Sequence, residues 1–221
     1  GMSKIQLTDA PLDEGTTKSD LIAAALQHFA DQGFEGASLR TIVGDAGQNI
    51  SSIKYHFGSK KGLYDACVVT VARRLHIEGP GAMLDQLGDD PTLLTPQTAT
   101  KAIRAIVEAV LRDAQEPTFA DGSRFLRREI LMNGRGADLF LREVLSGHID
   151  FLSVLVARAE GLPAHSKHAR LRALAIIGQT TLFLSAESLT RKAMAWDRMA
   201  DRIPELIDAI YPLRREPQAL T

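Results

Sequence analysis

The residues with most chemistry to offer lie together in one run, Asn49-Ile50-Ser51-Ser52-Ile53-Lys54-Tyr55-His56-Phe57-Gly58-Ser59-Lys60-Lys61. At helical spacing Ile53 and Phe57 share an inward stripe, which turns Ser51, Ser52, Lys54, Tyr55 and His56 outward. Hydroxyls, an ammonium, a phenol and an imidazole are groups suited to phosphates and base edges. Lys60 and Lys61 then open the next helix, where the helix dipole favours negative charge. Breaking a local rule without a gain in stability marks a functional position. A phosphate there would accept from free backbone N–H groups and from Lys60 together; Lys61 can also be read as a solvated cation. The whole chain carries a formal net charge of −1, so any basic surface must be local. Between Arg40 and Gly62 the cations are Arg40, Lys54, Lys60 and Lys61, against Asp45 alone.

Other chemistries have no comparable constellation. Histidines 28, 56, 76, 148, 165 and 168 show no HExxH spacing, and the sole cysteine, Cys67, cannot build a cysteine-based zinc site. There is no phosphate-binding glycine loop and no G-x-S-x-G elbow. No catalytic residue, metal site or cofactor is expected, and an enzyme is the weakest reading. Cys67 lies among Ala66, Val68 and Val69, which predicts a packed thiol. A lone cysteine suits a reducing cytoplasm. No apolar run is long enough for a bilayer and no signal-peptide pattern is present, so the expected location is cytoplasmic, with no membrane partner.

The elements that must position these groups are helices. Of the 221 residues 45% are apolar and 24% charged, ordinary globular composition, and apolar residues recur at helical spacing. A first helix is predicted from about Thr17, with Leu21, Ile22, Ala25, Leu26 and Phe29 on one stripe and Gly33 as its left-handed stop. Ser38 is placed to cap a short second helix carrying Leu39, Ile42 and Val43, which Gly47 ends. Asn49 can cap a third helix over Ile50–Phe57, and a linking helix follows from Ser59 to about Glu78. Two short helices joined by a glycine turn form a helix-turn-helix; a plain three-helix bundle fits the same geometry.

The stretch from Thr17 to Val68 resembles the DNA-binding domain of the TetR family of transcriptional regulators along its whole length. Its most specific parts are AALQHFADQGFEGASLRTI and ISSIKYHFGSKKGLY. The resemblance implies that the third helix enters the major groove and that the start of the fourth grips the DNA backbone. Carried over by position, Asn49, Ser51, Ser52 and Lys54 face the bases, while Thr41, Tyr55, His56 and Lys60 meet phosphates. Two departures stand out: lysine at 54, where many relatives carry an aromatic, and Gly44, which costs the second helix about 1 kcal/mol relative to alanine.

Beyond the breaks at Gly79-Pro80-Gly81 and Gly88-Asp89-Asp90-Pro91, helix restarts after Thr95-Pro96, with further breaks near Glu116-Pro117, Asn133-Gly134, Gly161-Leu162-Pro163 and Trp196. The run from Ser123 to Pro163 resembles the C-terminal domain of the CecR (YbiH) branch of the family. From Leu171 to Leu189 the sequence is apolar almost all round, with Ala175, Gly178 and Ser185 allowing close approach of another helix. With a last helix near Arg198–Tyr211, carrying Ile203, Leu206, Ile207 and Ile210, this predicts a four-helix dimer interface; a monomer core is the alternative. Candidate ligand contacts are Arg128, Gln179 and Thr180. Arg127, Arg128 and Glu129 also read as a solvated face, and Gln179 and Thr180 as partners of another helix.

The expected chain is therefore all-α. A leader (1–16) precedes a helix-turn-helix DNA-binding domain (17–62), a larger helical ligand-binding and dimerisation domain (63–214) and a tail (215–221). The resemblance implies a homodimeric repressor on a palindromic double-stranded DNA operator, released by a small-molecule inducer; with aromatics only 5% of the chain, mainly aliphatic contacts to that inducer are expected. Activation instead of repression, and a helical interaction module without specific DNA binding, stay open as alternatives.

Overall fold

The structure is a computed structural model that describes residues 15–78, with side chains to 75, and residues 90–213. Most of the expected leader, the Gly79-Pro80-Gly81 break with the stretch after it as far as Asp89, and the expected tail lie outside the described residues. Among the described residues every regular element is helical, as the all-α expectation requires. In chain order these are α1 (Thr17–Gly36), α2 (Leu39–Asp45), α3 (Ile50–Phe57), α4 (Lys60–Glu78), α5 (Pro96–Asp113), α6 (Ala120–Leu131), α7 (Ala137–Phe140), α8 (Ser146–Glu160), α9 (Lys167–Ser185), α10 (Glu187–Met194) and α11 (Ile203–Ile210). Short 3-10 turns at Pro91–Leu93 and Ala200–Arg202 and a π-helical turn at Leu141–Leu145 complete the list.

The chain folds as two compact units. The first gathers α1–α4 with the segment Glu116–Gly147; the second holds α5, the body of α8 and α9–α11. In the first unit α1 packs against α6 and α4. Its core is built on Leu21, Ile22, Ala25, Phe29, Ile42, Ile53, Leu63, Val68, Phe125 and Phe140, all buried. Burying each such large side chain contributes roughly 1.5–3 kcal/mol. Tyr64 sits among the aromatics, its ring 5.3 Å from Phe29, 5.2 Å from Phe34 and 5.6 Å from Phe125, edge to face in each case. In the second unit Ala99, Ile103, Val107 and Leu111, four apart along α5, are buried, and α5 packs on α9 and α11. Arg104 ties α5 to α11, donating to Asp208 (2.6 Å) and to the Tyr211 carbonyl (2.7 Å).

Helix starts follow the side chains placed before them. Thr16 accepts the Ser19 N–H, Asn49 the Ser52 N–H at 3.1 Å, and Thr95, ahead of Pro96, the Thr98 N–H at 3.1 Å. Ser38 stands at the expected cap of α2 but makes no capping hydrogen bond through its side chain. Gly33 takes the left-handed φ of +72° foreseen for a stop, yet the chain resumes one more helical turn to Gly36. The guanidinium of Arg128 lies against that bend and donates to the Asp31 carbonyl at 3.4 Å, so a cation faces the carbonyl end of α1. The apolar run Leu171–Leu189 is not one helix: it bends at Ala186 (φ −108°, ψ 37°), where α9 gives way to α10.

Candidate nucleic-acid interface

Helix α3 has one fully buried side chain, Ile53, with Phe57 packed against the core behind it. Nearly everything else on this short helix faces solvent: Ile50, Ser51, Lys54 and Tyr55 are exposed, with Ser52 and His56 half-buried. Tyr55 is 84% exposed, its ring meeting His56 edge to face at 4.8 Å. An aromatic held out in water on a helix anchored by one isoleucine is poor for stability and well placed for a partner.

Two close approaches fix the position of that face. The Asn49 side chain caps α3 and also receives the Ser52 hydroxyl at 3.3 Å, so these two base-facing candidates are partly engaged with each other. After α3 the chain turns so tightly into α4 that a Cβ at Gly62 would overlap the Phe57 carbonyl oxygen. The Gly62 N–H instead goes to the Ser59 hydroxyl at 3.1 Å, which caps α4. Lys60, on the first turn of α4, lays its ammonium over the Phe34 ring, 5.0 Å from the centroid. Lys61 pairs with Asp65 at 2.7 Å, the solvated-cation reading of this residue. On α2, Thr41 is exposed, and His28 of α1 meets Asp45, at the end of α2, at 2.5 Å. Thus Ser51, Lys54, Tyr55, His56 and Lys60 belong to two helices joined by a turn without slack, and Thr41 to the helix before them.

Two of the three ligand candidates, Gln179 and Thr180, differ in burial. Thr180 is buried, with its hydroxyl donating to the Ile176 carbonyl of its own helix. Gln179, its neighbour, is exposed. Arg128 belongs to the other unit, at the end of α1.

A feature missed from sequence lies behind α4. Glu129 of α6 is 4% exposed, and its carboxyl group accepts from the Tyr64 hydroxyl and from the Gly136 N–H at 3.1 Å. A Cβ at Gly134 would overlap that carboxyl group, so a larger residue there would have to displace it. Burial, helped by the bond to Glu129, pushes the Tyr64 phenol well above its ordinary value, and burial alone pushes the Cys67 thiol up. Cys67 is therefore the packed thiol that its neighbours predicted. A signal existed in the sequence: a glutamate inside RFLRREILM, followed by two nearby glycines. Its partner, 65 residues away, could not be inferred from spacing.

Comparison with known proteins supplies the family. Residues 21–67 match the model of bacterial regulatory proteins of the tetR family, and residues 99–213 match that of the C-terminal domain of HTH-type transcriptional dual regulator CecR. The CecR of Shigella flexneri is 30% identical over 201 residues, covering 86% of each chain. The chain belongs to the TetR family. Within it, it is a transcription regulator of the CecR-like branch, as both halves of the resemblance implied. The regulatory protein RaaS of Mycobacterium tuberculosis is 27% identical over 163 residues, 74% of this chain and 68% of RaaS. Among solved structures, a TetR-like regulator from Rhodococcus sp. RHA1 superposes with a TM-score of 0.62 at 18% identity, over 90% of this regulator and 96% of its own chain. The fatty acid degradation regulator FadR of Bacillus halodurans gives 0.60 at 16% identity, over 93% and 100%. At those identities the likeness is one of fold. No helix among the described residues is long and apolar enough to cross a membrane.

Proposed function

We propose that this regulator binds a palindromic operator in double-stranded DNA as a homodimer in the cytoplasm, represses transcription there without any catalytic step, and is released by a small molecule bound in its C-terminal helices. The observation that carries the reading is the solvent-facing set Ser51, Lys54, Tyr55 and His56 on a helix held by Ile53, with Lys60 opening the next helix. In this reading α3 lies in the major groove, with Asn49, Ser51, Ser52 and Lys54 toward the bases. Thr41, Tyr55, His56 and Lys60 hold phosphates and set the register.

Support for the dimer comes from the face of α9. Leu171, Leu174, Ala175, Gly178, Leu182 and Ser185 are all exposed at helical spacing, and Leu189 of α10 is exposed as well. A stripe of leucines around small residues marks a helix-packing surface, and a twofold partner presents the same stripe. Gln179 lies on this exposed side, so it is better suited to the interface than to an inducer. Release needs a ligand that binds a non-matching conformer more tightly than the DNA-bound one. The relative's description as a dual regulator favours one second reading, activation at some promoters in addition to repression.

The test is binding of the purified regulator to DNA from its own genomic neighbourhood, over a range of salt. The proposal expects a saturable complex on one palindromic fragment that weakens steeply as salt rises. Weak, equal binding to every fragment, with no site recovered by genome-wide selection, overturns it.

A further inference from the structure

One aromatic ring of the first unit carries cations from two separate parts of the chain. The Phe34 ring that carries Lys60 also carries Arg135, whose guanidinium carbon is 4.3 Å from the same centroid. The two cations are therefore no more than about 9 Å apart. Arg135 comes from the turn between α6 and α7, far from the helix-turn-helix in sequence. That turn is built, not loose. The Gly134 N–H bonds the Glu129 carbonyl at 2.8 Å, the Gly136 N–H bonds the buried Glu129 carboxyl group, and the Ala137 N–H bonds the Gly134 carbonyl at 3.1 Å. A buried acid and two backbone bonds thus hold one exposed arginine beside the ammonium that the DNA-binding reading assigns to a phosphate.

What Arg135 faces today is modest. It pairs with Glu35 at 2.9 Å, but that carboxylate is 82% exposed, and an exposed pair of this kind holds its partners weakly. A guanidinium has five donors in a planar fork, and the Glu35 bond uses one of them. Arg135 stacks on an aromatic ring while about half of its side chain stays exposed, and the planar guanidinium fork matches phosphate oxygens.

We propose that Arg135 is a DNA-backbone contact supplied from outside the helix-turn-helix. It takes a phosphate adjacent to the one held by Lys60. The proposal rests on the DNA-binding reading above. It extends the grip on the backbone from α2–α4 to the α6–α7 turn, adds nothing to base recognition, and predicts a sequence-independent, salt-dependent effect.

The experiment uses the full chain and a fluorescein-labelled duplex carrying its selected operator, with anisotropy read across a potassium chloride series. Arg135→Ala should weaken binding to the operator and to an unrelated duplex by the same factor. It should also make the slope of log affinity against log salt shallower by about 0.9 for each protomer bound. Arg135→Lys keeps the charge and should keep the slope, and Glu35→Gln should leave binding equal or tighter. If Arg135→Ala leaves affinity and slope unchanged while Lys60→Ala lowers both, the proposal is wrong and the DNA-binding reading stands. If Glu35→Gln weakens binding as much as Arg135→Ala, the arginine acts through its partner and not on DNA. Should Lys60→Ala change nothing either, the reading beneath the proposal fails with it.

Discussion

Tyr64→Phe isolates the buried hydrogen bond behind α4. The substitution removes the hydroxyl that donates to Glu129 and keeps the ring that packs edge to face on Phe29, Phe34 and Phe125. Glu129 keeps the Gly136 N–H but loses a donor in a site where water does not replace it, since both side chains are nearly fully buried. Losing a hydrogen bond to a carboxyl group costs about 1.5–3 kcal/mol. For a chain of this length that is a fall in melting temperature of about 3–12 °C. Urea denaturation at one fixed protein concentration measures it, because association contributes to apparent stability. Glu129→Gln weakens the same bond from the other side, so the double variant should lose less than the sum of the two, with a coupling of roughly 1 kcal/mol or more. A loss below about 0.5 kcal/mol for Tyr64→Phe, or strict additivity, would refute the claim that this pair joins α4 to α6.

Gly62→Ala forces a Cβ into the Phe57 carbonyl oxygen; overpacking of this kind costs about 1–3 kcal/mol. Because the displaced atom belongs to the end of α3, operator affinity should fall with stability. Leu182→Glu places a charge in the exposed apolar stripe of α9; sedimentation should find the parent chain as the proposed dimer and the variant as a monomer. Cys67 should resist thiol reagents until the chain unfolds. Its raised folded-state pKa means that the native chain keeps the proton after the unfolded chain has lost it. Stability is thus lost as pH rises past about 8.5, by about 1.4 kcal/mol per pH unit, and urea midpoints of Cys67→Ala should lack that part of the slope.

Local features were legible in the sequence because they depend on near neighbours. Asn49 announced the start of α3, Thr95-Pro96 that of α5, and the Ile53–Phe57 spacing the buried side of α3. The outward groups on α3 could be named for the same reason: once one face is apolar, the rest follows from the helical period. Ser38 shows the limit of such signals, since the residue is right and the hydrogen bond is absent. The bend at Ala186 within an unbroken apolar run escaped because hydrophobicity alone carries no terminus. The Tyr64–Glu129 bond and the meeting of Arg135 with Lys60 on Phe34 join residues far apart in the chain. Such pairs are set by packing, and a period of 3.6 residues says nothing about them. The bond from Arg128 to the Asp31 carbonyl is another such pair, 97 residues apart.

Selection of binding sites from a random duplex library asks whether α3 reads DNA sequence. The parent chain should enrich an inverted repeat whose half-sites are centred about one helical turn, or a multiple of it, apart. Lys54→Ala should relax or alter the selected bases, while Tyr55→Ala should weaken binding to all sequences alike. Pools that remain random after repeated rounds with the parent chain, at salt low enough for binding, would contradict sequence reading by α3.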